Sequence, residues 1–161
     1  MISIKLQLIR ITGAIIILFF VCSVTTAQGQ NSMAEQKAMV WSMDDEALEW
    51  GACPAFMPES CRIAVLQGNP KQPNTDIFFK MKGNTTVARH WHHSPERMVL
   101  VSGEMQVKYD GQDSEVIKTG NYAYGPAERP HEASCLSDEP CILFIAFEDP
   151  IDAMPVSEAG K

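Results

Sequence analysis

From Met39 onward the chain is cut at short, near-regular intervals by Gly, Pro, Asn and Asp, and the runs between the cuts are rich in Val, Ile, Phe and Tyr. β-branched and aromatic side chains suit an extended, half-buried backbone, whereas the interrupting residues supply the unusual or fixed φ of tight turns. The pattern predicts strands at 48–50, 62–67, 75–82, 87–93, 97–101, 105–109, 114–118, 122–124, 131–136 and 142–147. The separators are Gly68-Asn69-Pro70, Gly83-Asn84, Ser102-Gly103, Asp110-Gly111, Gly120-Asn121, Gly125-Pro126 and Asp138-Glu139-Pro140. Asp110-Gly111 between two strand patterns is a hairpin signal. Helical periodicity with caps is missing from this region, and the best helix candidate is one turn at 42–48, with Ser42 and Asp45 at capping-box spacing. Many short strands at even spacing predict an all-β sandwich or small barrel.

The segment before Met39 follows other rules. Lys5 and Arg10 precede an apolar run at 11–24, and Thr25-Thr26-Ala27 offers small residues for cleavage. Residues 1–27 are therefore read as a signal peptide, cleaved after Ala27. The alternative is an uncleaved anchor, but the apolar run is short for about 30 Å of hydrocarbon. Polar residues follow, so 28–38 is expected to be a flexible arm, 39–150 the β-barrel and 151–161 a C-terminal tail. The protein is expected to be periplasmic or secreted, with no stable membrane anchor after cleavage.

Cleavage removes two cations and one of five cysteines, leaving 11 Lys and Arg against 20 Asp and Glu. So acidic a chain is unsuited to the phosphate backbone of nucleic acids, which demands clustered cations. No Gly-rich phosphate loop is present, and 161 residues bound the chain to one domain. Cys53, Cys61, Cys135 and Cys141 remain, an even number behind an export signal. Four cysteines permit three connectivities, and spacing favours the local pairs Cys53–Cys61 and Cys135–Cys141. Four buried free thiols are the alternative.

All four histidines fall in two segments. In the first, His90 and His92 are two residues apart, which on a strand puts both imidazoles on one face. Trp91 and His93 then point the other way. Pro95 breaks the strand, and Glu96 opens the next with a carboxylate in reach of the same point. In the second, a Pro-bracketed turn from Pro126 to Pro130 delivers His131 at the head of a strand. Three imidazoles and a carboxylate suit a divalent transition metal such as Fe, Mn, Zn, Ni or Co, and leave octahedral positions open.

These segments resemble the two motifs of the cupin superfamily. His90-Trp91-His92, then three residues, Glu96, six residues and Gly103 follow the first motif, with Gly83 one residue too far upstream. Gly120, Pro126 and His131 follow the second, with Glu128 where the family has Gly and Cys135 where it has Asn. Trp50-Gly51, a Pro-rich stretch and Gly68-Asn69-Pro70 also look like small ChrR-type cupins. The resemblance implies a cupin-type jelly-roll β-barrel with His90, His92, Glu96 and His131 as metal ligands in its mouth. It further implies a metal-dependent dioxygenase or related oxidoreductase on a small chelating substrate, or else a non-catalytic small-ligand binding or sensor cupin. A homodimer is a family expectation.

Other residues have plainer readings. His93 is expected at the surface or supporting a ligand, and Arg89, Arg97 and Arg129 in solvent. Met98, Leu100, Met105, Tyr109, Phe144 and Phe147 are read as barrel packing. Tyr122 and Tyr124 share a face, also read as packing.

Overall fold

The computed structural model describes residues 37–157. The expected signal peptide at 1–27 and nearly all of the expected arm at 28–38 lie outside the described residues. The chain divides into two units, 1–38 and 39–161. Of the first, Lys37 and Ala38 are described, exposed and without regular structure.

The second unit is all-β. Its strands are β1 (Trp50–Ala52), β2 (Arg62–Gln67), β3 (Thr75–Met81), β4 (Thr86–Trp91), β5 (Glu96–Ser102) and β6 (Glu104–Tyr109). They continue as β7 (Glu115–Lys118), β8 (Tyr122–Gly125), β9 (His131–Cys135), β10 (Cys141–Phe147) and β11 (Met154–Pro155). Antiparallel pairing builds a six-stranded sheet in the order β1-β2-β3-β10-β5-β8 and a five-stranded sheet in the order β11-β4-β9-β6-β7. From β3 to β11 nearly every connection crosses between the sheets, the path of a jelly roll.

Side-chain alternation explains where the core lies. Ile77, Phe79 and Met81 of β3, Leu100 of β5 and Leu143 and Ile145 of β10 point inward. They meet Val87, Met105 and Ile117 from the opposite sheet. The intervening Phe78 and Ile142 point outward, where Leu48, Trp41, Met43 and Trp50 cover them in a second apolar cluster. β3 and β10 are thus buried on both faces, which accounts for their near-continuous apolar sequence.

Several expectations are corrected. Residues 42–48 form two successive turns, with Asp45 N–H on Ser42 O and Leu48 N–H on Asp45 O, rather than one helical turn. The Asp45 side chain bonds the Ala47 N–H, the local competition that keeps Asp out of helix interiors. β1 lies two residues later than expected, because Leu48 is spent packing on the outer cluster. Tyr122 and Tyr124 face solvent, 61% and 54% exposed, while Ala123 faces the core. Phe144 belongs to the outer cluster. The segment set apart as a tail after residue 150 packs Ile151 on the core and pairs β11 with β4.

Both local cysteine pairs are bridged, with Cα–Cα distances of 5.6 Å for Cys53–Cys61 and 5.7 Å for Cys135–Cys141. The second does not close a hairpin: β9 and β10 lie in different sheets, so the bridge ties one sheet to the other.

Candidate metal centre

The site is assembled row by row from strand register. On the five-stranded sheet, His90 of β4 lies opposite His131 of β9, and His131 lies opposite Tyr109 of β6. Facing side chains on neighbouring strands approach within about 5 Å. The ring centroids follow, at 4.3 Å for His90–His131 and 4.7 Å for Tyr109–His131. β4 ends at Trp91, short of the expected His93, yet His92 keeps to the inner side, with its ring 4.9 Å from that of His90. Glu96 arrives from the other sheet, paired with Phe147 and Gly125. Its carboxylate lies 3.5 Å from His92 Nε2 and 3.8 Å from His131 Nε2.

A buried serine holds the turn that delivers Glu96. Ser94 Oγ accepts the N–H groups of Glu148 and Asp149 at 2.9 and 3.0 Å and donates to Pro95 O. Across the site, Glu128 N–H donates to His92 O, and Glu128 adopts φ 57°. Left-handed φ is where glycine is at ease. The turn therefore keeps the shape of the second motif's glycine, although a glutamate occupies it.

Each imidazole is oriented by a backbone carbonyl on its Nδ1. The acceptors are Ala88 O for His90 at 2.7 Å, Arg129 O for His131 at 3.1 Å, and Asp152 O for His92. A carbonyl only accepts, so each Nδ1 carries a proton and Nε2 is the atom left to ligate in the neutral ring. Candidate ligand nitrogens of His90, His92 and His131 lie within 4.8 Å of one another. An ion with ligand distances of about 2.0–2.2 Å needs donors roughly 3–4.5 Å apart, close to that spacing, so the three histidines could hold one divalent transition ion, with the Glu96 carboxylate beside them.

The electrostatics agree with that fit. Burial, reinforced by the neighbouring His92, lowers the His90 pKa to about 4, against the pull of the Ala88 carbonyl. Burial and the adjacent His90 lower that of His131 to about 3. Both rings are neutral at pH 7, the form that binds metal. Burial pushes the Glu96 carboxyl upward, opposed by His92. Burial and the charge of Glu96 also push the Tyr109 phenol upward.

His90, His92, Glu96 and His131 are therefore brought together, and His93 is not. His93 is exposed and sits against Trp91 and the Asp152 carboxylate, which also accepts the His93 backbone N–H at 3.0 Å. Asp152 thus holds His92 with its carbonyl and His93 with its side chain. Sequence reading missed it, since nothing in the spacing ties residue 152 to residue 92. It also treated Tyr109 as packing, although the alternation of β6 does place that ring inward. Arg89 and Arg97 lie outside, paired with Asp110 and Glu148.

The cluster opens into a cavity of about 160 Å³ inside the barrel. Pro54 and Met57 line it from the loop closed by Cys53–Cys61, and Phe56 of that loop lies 6.0 Å from His90 between ring centroids.

Fold and site define a small jelly-roll protein with a buried histidine–carboxylate cluster in the barrel. Residues 38–149 match the ChrR cupin-like domain, and the chain belongs to that cupin family. No curated protein sequence matches it. Among solved structures it is similar to the DMSP lyase DddQ from Ruegeria pomeroyi DSS-3, with TM-score 0.60 and 14% identity over 71% of this chain and 64% of that one. It is also similar to an oxalate decarboxylase from Lactobacillus farciminis, with TM-score 0.56 and 18% identity over 68% of this chain and 33% of that one. An oxalate decarboxylase from Bacillus subtilis with Mn(II) centres gives TM-score 0.54 and 15% identity over 62% and 29%. The chain spans less than two thirds of the length of each. At these identities the likeness establishes the fold.

Proposed function

We propose that this chain is an exported metal-binding cupin, a metal-dependent dioxygenase or related oxidoreductase that acts on a small chelating substrate. One observation carries the reading: three imidazoles, each locked by a carbonyl on Nδ1, turn their Nε2 atoms toward a point beside the Glu96 carboxylate. Converging lone pairs repel one another unless a cation lies between them. When bound, a divalent transition ion would supply a Lewis-acid centre with positions left open to a substrate oxygen.

The chain's own residues do the rest. His90 and His131 would hold the ion from one sheet, with His92 from the end of β4, and Glu96 would offset part of its charge from the other. Carbonyl-fixed rings need no reorientation on binding. The apolar barrel wall keeps bulk water from the reacting groups. Two disulfides accord with an oxidising compartment outside the cytoplasm, and the acidic composition with a small-molecule rather than nucleic-acid partner.

The test is elemental analysis of protein purified from its native compartment, with an oxygen-uptake screen over small diketones, diols and thiols. About one redox-active ion per chain with uptake on at least one class is expected. A protein carrying stoichiometric zinc, silent across the screen, would favour the binding or sensor reading. Absence of any ion at native levels would refute the metal site itself.

A further inference from the structure

Tyr109 is buried, and its hydroxyl has no protein hydrogen-bond partner. A buried hydroxyl left unpaired is costly, and such groups are rare in native folds. The surroundings show that the chain makes room for this one. A Cβ on Gly125 would collide with the Tyr109 hydroxyl and crowd Glu96 Oε2, so the phenol reaches its place only because residue 125 lacks a side chain. The ring lies against His131, in the same cross-strand row as His90, and lines the cavity.

Away from the histidine–carboxylate cluster and Asp152 that cavity is apolar, with walls from Ile77, Phe79, Met98, Met105, Leu143 and Ile145. Among the described residues that line it there is no lysine or arginine, while Glu96 contributes a carboxyl group. A polyanion entering here would meet the Glu96 carboxyl group and no lysine or arginine. The volume, about 160 Å³, is close to that of an apolar cavity that holds benzene.

We infer that the pocket takes a small, uncharged, predominantly apolar molecule bearing at least one oxygen acceptor, to which the Tyr109 hydroxyl donates a hydrogen bond. The inference rests on the metal-centre reading only in treating this cavity as the substrate site. The phenol and the apolar wall do not depend on the ion.

The test uses the full secreted chain, metal-free and again with added zinc. Calorimetry follows three probes: cyclohexanone, with a ring and an acceptor; benzene, with a ring alone; and malonate, a dianion. In the metal-free protein, cyclohexanone should bind more tightly than benzene and malonate should not bind. Tyr109→Phe should weaken cyclohexanone about fivefold to tenfold, the loss of one hydrogen bond, and leave benzene unchanged. The thermal midpoint of Tyr109→Phe without probe should equal or exceed that of the parent, because no partner is lost. Malonate binding ahead of cyclohexanone, failure of all probes to bind, equal effects on both ring probes, or a lowered midpoint would each overturn the inference. Failure of zinc to bind would count against the metal centre and leave the metal-free comparison intact.

Discussion

Acid should unfold the metal-free protein in a pH window set by two histidines. Taking an ordinary histidine value of 6.5 for the unfolded chain, His90 falls to about 4 and His131 to about 3 on folding. Between those limits the unfolded chain binds more protons than the folded one, so stability rises with pH there and is lost as pH falls below about 6.5. At about 1.4 kcal/mol per pH unit, either ring alone would forfeit up to about 3.4 kcal/mol by pH 4. The two shifts share one His90–His131 repulsion, so the pair together should lose about 3–5 kcal/mol rather than double that figure. Glu96 works in the opposite sense. Its carboxyl is raised on folding, so the buried charge weighs against stability at neutral pH and is relieved as the group protonates. Glu96→Gln should therefore steepen the acid loss. The assay is urea unfolding of chelator-treated protein at pH 7, 6, 5 and 4.5, with disulfides intact. His131→Gln should flatten the dependence below pH 6.5. A parent profile that stays flat from pH 7 to 4.5, with Glu96→Gln equally flat, would refute the buried neutral-imidazole account.

His92→Ala should sharply reduce bound metal, whereas His93→Ala, outside the cluster, should keep it, as elemental analysis after exhaustive dialysis would show. Glu128→Gly should raise stability by up to about 1 kcal/mol in urea, since glycine relieves the φ of 57° there at some cost in unfolded-state entropy. Replacing Cys135 and Cys141 together by serine should cost about 2 kcal/mol, the lower part of the usual range for so short a loop, measured by the shift in denaturation midpoint.

The strand pattern and the histidine–carboxylate cluster were legible because both depend on local spacing. A two-residue repeat puts His90 and His92 on one side, and Pro95 and the Pro126–Pro130 turn mark where chain direction changes. What sequence could not show was pairing at a distance. Cys135 and Cys141 stand six residues apart with a turn between them, a spacing that looks the same whether the strands pair as a hairpin or part into two sheets. The outward face of Tyr122 and Tyr124 was hidden for a related reason: alternation says that both share a face, but only the pairing of β8 with β5 says which. Asp152 was invisible, because a backbone carbonyl that orients an imidazole carries no side-chain signature. Glu128 in a glycine position was the instructive departure, for the residue there adopts a left-handed φ of 57° and its N–H donates to His92 O.

The Cys135–Cys141 bridge joins the sheets at the far end of β9, four residues beyond His131, or about 13 Å along an extended strand. A body fastened at one end yields at the other. Slow opening of this barrel should therefore pivot about the bridge and part the sheets first around the histidines, where exchange of backbone amides in the first residues of β9 should outpace that near Cys135. The cluster draws His90 and His131 from one sheet, His92 from just past the end of β4 and Glu96 from the other sheet. Any ion gripped there would act as a second fastening, and its departure would leave a hinge already aimed at the cavity.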